Sequence, residues 1–164
     1  MNLESAIHHD VRAEEIEPTI QTRVIRIGRP PQRWFHHALL LTGGSARLSH
    51  DDSETLIAAP ALALLPPTDG ETLTVAAGSR GFLAGASPEI VGEAIGDHAE
   101  SPALRLFSGT FSLGEILAPA ALREVTPLFE GMIAELSQEG RASRMVVAAY
   151  VRLVMIAAWR LGGA

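Results

Sequence analysis

From Ile20 to Ile27 (Ile-Gln-Thr-Arg-Val-Ile-Arg-Ile) apolar and polar residues roughly alternate, the period of a half-buried strand, and Gly28-Arg29-Pro30-Pro31 breaks the run. Trp34 to Thr42 reads as an aromatic-to-aliphatic strand that ends in Gly43-Gly44, a hairpin signal. Ala46–His50, Glu54–Ala59, Ala61–Leu65, Glu71–Ala77 and Gly81–Ala86 continue the pattern as short strands. They are separated by Asp51-Asp52, by Pro60, by Pro66-Pro67-Thr68-Asp69-Gly70 and by Gly78-Ser79. Strands spaced this closely leave no room for crossover helices, so the pattern predicts an antiparallel sandwich or small barrel.

The period changes near residue 87. Ser87-Pro88-Glu89 combines an N-cap serine, a proline at the first helical position and an acid in the first turn, and predicts a short helix that stops at Gly96. Ala103–Phe107 and Phe111–Leu117 fit either a returning strand or a linking segment. Leu122, Val125, Leu128, Phe129, Met132, Ile133 and Leu136 recur at spacings of three and four, which predicts an amphipathic helix ended by Ser137–Gly140. A second helix is predicted from Arg141 to Leu161. At 100° per residue Arg141, Arg144, Arg152 and Arg160 share an arc of about 160°, with Val146, Val147, Tyr150, Val154, Ala157 and Leu161 opposite. Met145, Ile156 and Trp159 nevertheless sit among the arginines. A helix apolar on both sides calls for a second partner, and another copy of the chain is the expected one. The organisation expected is therefore a polar leader at 1–18 (a candidate for disorder), a β-barrel at 19–118 with a short helix near 87–96, and a two-helix dimerisation segment at 119–161.

Composition narrows the chemistry. The 164 residues, 47% apolar and 20% charged, suffice for one packed domain. Cysteine is absent, which excludes disulfides, thiolate metal sites and thiol nucleophiles. All thirteen basic residues are arginine, so Schiff-base chemistry and a phosphate-binding P-loop lysine are excluded as well. A net charge of −6 counts against direct binding to a nucleic-acid backbone. The leader is polar and acidic and has no apolar core of a signal peptide; the most apolar stretch, Met145–Trp159, is about 15 residues long and contains Arg152, against the ~20 that a membrane span needs. No membrane partner and a cytoplasmic location are expected.

Catalytic templates (Gly-x-Ser-x-Gly, His-Glu-x-x-His, dinucleotide Gly-x-Gly-x-x-Gly) are missing, and Gly78, Gly81 and Gly85 read as turn or bend glycines. His36 and His37 are adjacent on a predicted strand, so only one of them faces inward. Together with His50 and Glu54 or Glu71, that histidine is the best case for a metal; otherwise it caps polar groups in the core. Arg47 lies mid-strand and would anchor a carboxylate if it pointed inward, and Trp34 is pocket wall or core; Arg80 is expected to flank the same mouth.

The strand His37-Ala38-Leu39-Leu40-Leu41, the turn Thr42-Gly43-Gly44, the strand Ala46–His50 and the segment Pro60-Ala61-Leu62-Ala63-Leu64-Leu65-Pro66-Pro67 together resemble the cupin barrel, and more particularly the N-terminal sensor domain of AraC-type transcription regulators. The resemblance implies a cupin-like (RmlC-like) jelly roll with C-terminal helices, the last two an antiparallel pair that joins two subunits. It also implies a small organic effector in the barrel and no cofactor. Trp34, His36, His37, Arg47 and Phe82 are the expected ligand contacts, and Tyr150, Arg152, Val154 and Trp159 the expected dimer contacts. The chain departs from the family where Pro60-Ala61-Leu62 replaces a common Pro-Gly-Asp, and where Thr68–Thr72 lacks a common histidine. It has no His-x-His of the metal-binding cupins. Regulators of this type continue into paired helix-turn-helix motifs, whereas this sequence ends at Gly162-Gly163-Ala164, so DNA is expected only through a part not in this chain. Two alternatives remain open: a stand-alone metal-dependent cupin enzyme (oxygenase or isomerase), and a ligand-free dimerisation module with a leucine-filled barrel.

Overall fold

The structure, a computed structural model, describes residues 3–116 and 118–162. Among the described residues, nine strands and five helices follow in the order α1 (Leu3–Asp10), β1 (Val11–Ile16), β2 (Arg23–Ile25), β3 (His36–Gly43), β4 (Ser45–His50), β5 (Ser53–Ala58), β6 (Ala61–Leu65), β7 (Thr72–Val75), β8 (Arg80–Ala86), α2 (Pro88–Ile95), α3 (Ser101–Ser108), β9 (Ser112–Glu115), α4 (Pro119–Leu136) and α5 (Arg144–Gly162). The strands form two antiparallel sheets, β1-β8-β3-β6-β9 and β2-β7-β4-β5, the jelly roll expected, with the helices packed on the outside of the larger one.

The inner strands of the larger sheet, β3, β6 and β8, are buried on both faces, which is why β3 and β6 read as near-continuous apolar runs. On β3, Leu39 and Leu41 join the core between the sheets, with Ala46, Leu48, Ile57, Ala63, Leu65, Leu73, Val75 and Leu83. Ala38 and Leu40 belong instead to a second core beneath the helices, with Leu62, Phe82, Ile90, Phe129, Met132, Val147, Val151 and Met155. The two cores share a sheet and divide its residues by the period of two.

Several predicted elements shift. The leader is partly structured: β1 pairs with β8 from Val11↔Ala86 to Ile16↔Gly81. Its charges disguised it, as they do on an edge strand; Glu14 accepts hydrogen bonds from Arg12 at 2.9 Å and from Arg23 of β2 at 2.9 Å, linking the edges of the two sheets. The strand expected over 20–27 shrinks to Arg23–Ile25. The ambiguous segment near 103–107 is helix α3, and the one after it holds β9 against β6. The helix start at Ser87 is as predicted, its hydroxyl accepting from the Ile90 N–H at 3.3 Å. α5 is a 19-residue helix with an 18-residue window of mean hydropathy 1.6, longer than the expected 15-residue apolar stretch, and among the described residues it is long and apolar enough to cross a membrane. In the fold it packs on α4, α2 and β9, with Val147, Val151, Val154 and Met155 buried.

Candidate functional site

The barrel has two unlike ends. At the β3–β4 hairpin the inward positions are Leu41, Ala46, Ala61 and Val75, all buried and aliphatic. Following the same inward parity to the other end gives His37 after Leu39 on β3, His50 after Leu48 on β4, and Glu71 just before Leu73 on β7. The middle is filled by leucine and isoleucine side chains. Chemistry is therefore confined to the end opposite the hairpin.

That end opens to solvent through a recess of about 280 Å³. Its lining is Leu48 and His50 of β4, Ser53 and Thr55 of β5, Pro66 and Thr68 from the loop after β6, Glu71, and Phe111 ahead of β9. Glu71 is only 8% exposed. Burial pushes its carboxyl up to about 7, against the pull of His50, so it is poised between a donor and an acceptor near neutrality. Among the described residues no arginine or histidine lies within 4 Å of that carboxyl: His50 instead approaches Asp51 at 3.7 Å, and Arg33 approaches Asp69 at 3.3 Å.

His37, 2% exposed, lies across Gly85, whose missing side chain makes the room; a Cβ there would come within 2.9 Å of the imidazole and 3.2 Å of Arg12 Cγ. Burial, then the charge of Arg12 and of His36, pushes His37 down to about 3, so it is neutral, and its Nε2 has no hydrogen-bond partner. His36 faces the helices and donates Nε2–H to the Ser108 carbonyl at 3.0 Å, while burial lowers its pKa. Beside both histidines a void of about 30 Å³, lined also by Met132, Val151 and Met155, has space for a water or two.

The other expected ligand contacts do not converge with these. Trp34 is 61% exposed outside the barrel, with the Arg33 guanidinium 4.5 Å from its ring centroid. Arg47 is exposed on the outer side of its sheet, next to Leu56 and Thr74, so the inward anchor for a carboxylate is not formed. Arg80, likewise exposed, lies at the hairpin end beside Gly43. Phe82 faces the helices and stacks at 5.8 Å with Phe129. Of the five residues only His37 points between the sheets. Glu71 was visible only as a possible metal carboxylate and Phe111 not at all as a contact; the alternation Glu71-Thr-Leu73-Thr-Val75 was the available signal for the former. Among the described residues no three histidines or carboxylates are grouped to hold a metal ion; Glu54, one of the carboxylates considered, is exposed.

The expected dimer contacts also divide. Val154 is buried against the second core, and Tyr150 is half-buried over Gly131, where a Cβ would meet its ring at 2.5 Å. Arg152 donates Nε–H to the Ala94 carbonyl at 2.6 Å and borders, with Trp159 and His98, a groove of about 200 Å³. The apolar side chains α5 turns outward are Met145 (85% exposed), Val146 and Leu153 (46%).

Comparison with protein-family models gives no match, and comparison with curated proteins gives none. Solved structures do resemble the fold. The AraC-like transcriptional activator CuxR superposes with a TM-score of 0.51 at 11% identity, over 90% of this chain and 52% of CuxR. ToxT from Vibrio cholerae O395, bound to (E)-4-(8-methylnaphthalen-1-yl)but-3-enoic acid, gives 0.50 at 8% identity, over 92% and 57%. ToxT from V. cholerae strain SCE256, bound to an unsaturated fatty acid, gives 0.50 at 12% identity, over 92% and 54%. The chain thus shares the fold of these structures, a jelly roll followed by helices, and spans about half the length of each.

Proposed function

We propose that this chain is the effector-binding and dimerisation domain of an AraC-type transcription regulator. It takes a small organic molecule at the polar end of its barrel and meets DNA only through another part of the regulator; a cytoplasmic location follows from that reading. The observation that carries the proposal is the contrast within the barrel: an aliphatic filling that ends in an open recess holding a buried, unpaired carboxyl. Such a convergence of few polar groups on an apolar wall is the usual character of a ligand site. The fold likeness supports the regulator context.

The recess also has a path to the helices. Phe111 on its rim leads directly into β9, and β9 packs so closely on α5 that a Cβ at Gly114 would come within 2.6 Å of Leu161 Cβ. A ligand that prefers one placement of Phe111 biases α5 by the difference of its affinities for the two placements. The outward stripe Met145, Val146 and Leu153 is the proposed contact with a second copy, ahead of Val154 and Tyr150, whose side chains are occupied within the subunit. Native mass spectrometry tests this. A dimer is expected, and Leu153→Asp together with Met145→Asp is expected to give a folded monomer; a double variant that stays dimeric overturns the interface. A small-molecule mass lost on denaturation would point to the effector.

One observation favours a second reading. The space between the sheets is filled, as in a ligand-free dimerisation module, and failure of every ligand to perturb the recess would favour that module.

A further inference from the structure

We infer that the recess at Glu71 selects a cationic ligand, an organic amine whose ammonium group pairs with the Glu71 carboxylate while its apolar body lies against Leu48, Pro66 and Phe111. The inference rests on the proposed effector site and names the chemistry of what enters it.

The lining carries the argument. Glu71 is the carboxyl aimed into the recess, nine-tenths buried and without an ion pair among the described residues. No arginine lines the recess and the chain contains no lysine, so an entering carboxylate would meet the Glu71 carboxyl, with His50 alone among the lining residues as a basic side chain. The ToxT structures hold carboxylic acids, and the wall described here has the opposite complement. A buried carboxyl without a partner costs desolvation when ionised, and an ammonium ion offsets that cost through a charge-assisted hydrogen bond. Ser53, Thr55 and Thr68 supply neutral hydroxyls around it, and Phe111, 40% exposed at the rim, offers a ring face suited to an alkyl chain or a cation.

The charged surroundings set the pH dependence. From β4, His50 faces Glu71; in the turn beyond it, Asp51 approaches His50; in the 66–70 loop, Asp69 is taken up by Arg33. β5 contributes only hydroxyls to the recess. An ammonium ligand requires ionised Glu71, and a carboxyl that titrates at about 7 passes from about one-tenth to about nine-tenths ionised between pH 6 and pH 8. Binding is therefore about tenfold tighter at pH 8 than at pH 6.

The test is a titration of the full chain, followed by amide NMR at pH 6 and pH 8, with hexylammonium, hexanoate and hexanol as probes. Hexylammonium is expected to shift the amides of Ser53, Thr55, Thr68 and Glu71, to bind about tenfold tighter at pH 8, and to lose at least tenfold in affinity in Glu71→Gln. His50→Gln is expected to keep most of the pH dependence. Hexanoate or hexanol shifting the same amides at equal or lower concentration would overturn the cationic assignment and leave the effector site standing, as would unchanged hexylammonium binding in Glu71→Gln. No shift at these amides with any of the three probes would overturn both.

Discussion

The two ends of the barrel are built from the same strands and differ only in what the inward positions hold. At the hairpin end Leu41, Ala46, Ala61 and Val75 close the space; at the other, His37, His50 and Glu71 occupy the corresponding row. The closed end contributes stability through burial alone. The open end keeps two groups in protonation states their burial imposes, His37 neutral and Glu71 partly protonated, and so gives up stability over particular pH ranges. A ligand is able to recover part of that cost at the open end and has nothing to recover at the closed one.

The contrast breaks most visibly in the filling itself. Leu39→Ala, at a fully buried position, is expected to cost about 2–5 kcal/mol in urea unfolding, from lost transfer energy and the cavity left behind. If the interior instead held free space for a ligand, the loss would fall well below this range.

His37 gives the next largest effect. Its folded pKa is depressed from 6.5 to about 3, so its contribution is complete above the unfolded pKa and is lost as pH falls through the window from about 6.5 to 3. Stability is expected to drop by about 2–3 kcal/mol between pH 7 and pH 4 on this account, and His37→Gln is expected to flatten that limb. An equally steep acid limb in the variant would mean the cost lies elsewhere.

Glu71 acts with the opposite sign. Its folded pKa is raised from 4.5 to about 7, so its contribution is present below pH 4.5 and is lost as pH rises to 7. Glu71→Gln keeps the neutral shape and is expected to raise stability at pH 8 by about 1–2 kcal/mol, a figure discounted for the opening to solvent. No gain at pH 5 to 8 would show the carboxylate already solvated. The smallest change belongs outside the barrel: Arg47→Ala is expected to alter stability by less than about 0.5 kcal/mol, since the side chain lies on the exposed face.

What the sequence made legible follows the strength of its periods. β6, β8, α2 and the α4 stripe lie where the apolar spacing and the Ser87-Pro88 cap put them. β1 was hidden because an edge strand tied by Arg12, Glu14 and Arg23 looks polar. The site was harder to read because β3 is apolar on both faces, so nothing local distinguishes the histidine between the sheets from the one beneath the helices. That choice is made by the pairing His37↔Gly85, where the neighbour is small enough to let the ring lie down. Phe82 lies on the helix side for the same reason: on a sheet with a core on either side, an aromatic residue is as well placed under helices as in a pocket; Arg47, on the smaller sheet, turns to the exposed outer face. The exposed face of α5 was legible as a surplus of apolar residues, and which of them turn outward depended on how α4 and the sheet take up the others.

Arg144 opens α5 and holds two distant segments, donating to Asp10 at 2.8 Å and to Glu93 at 2.9 Å. Burial acts to raise the Asp10 carboxyl, but the hydrogen bonds from Arg144 and Ser87 outweigh it and leave it below the ordinary value. One guanidinium thus fastens the α1–β1 junction, α2 and the start of the last helix, residues far apart along the chain. In hydrogen-exchange terms, the edge strand β1 should not fray as an independent unit: its amides are expected to open together with the first turn of α5, and Arg144→Ala is expected to uncouple them, releasing β1 to exchange early while the rest of the sheet stays protected.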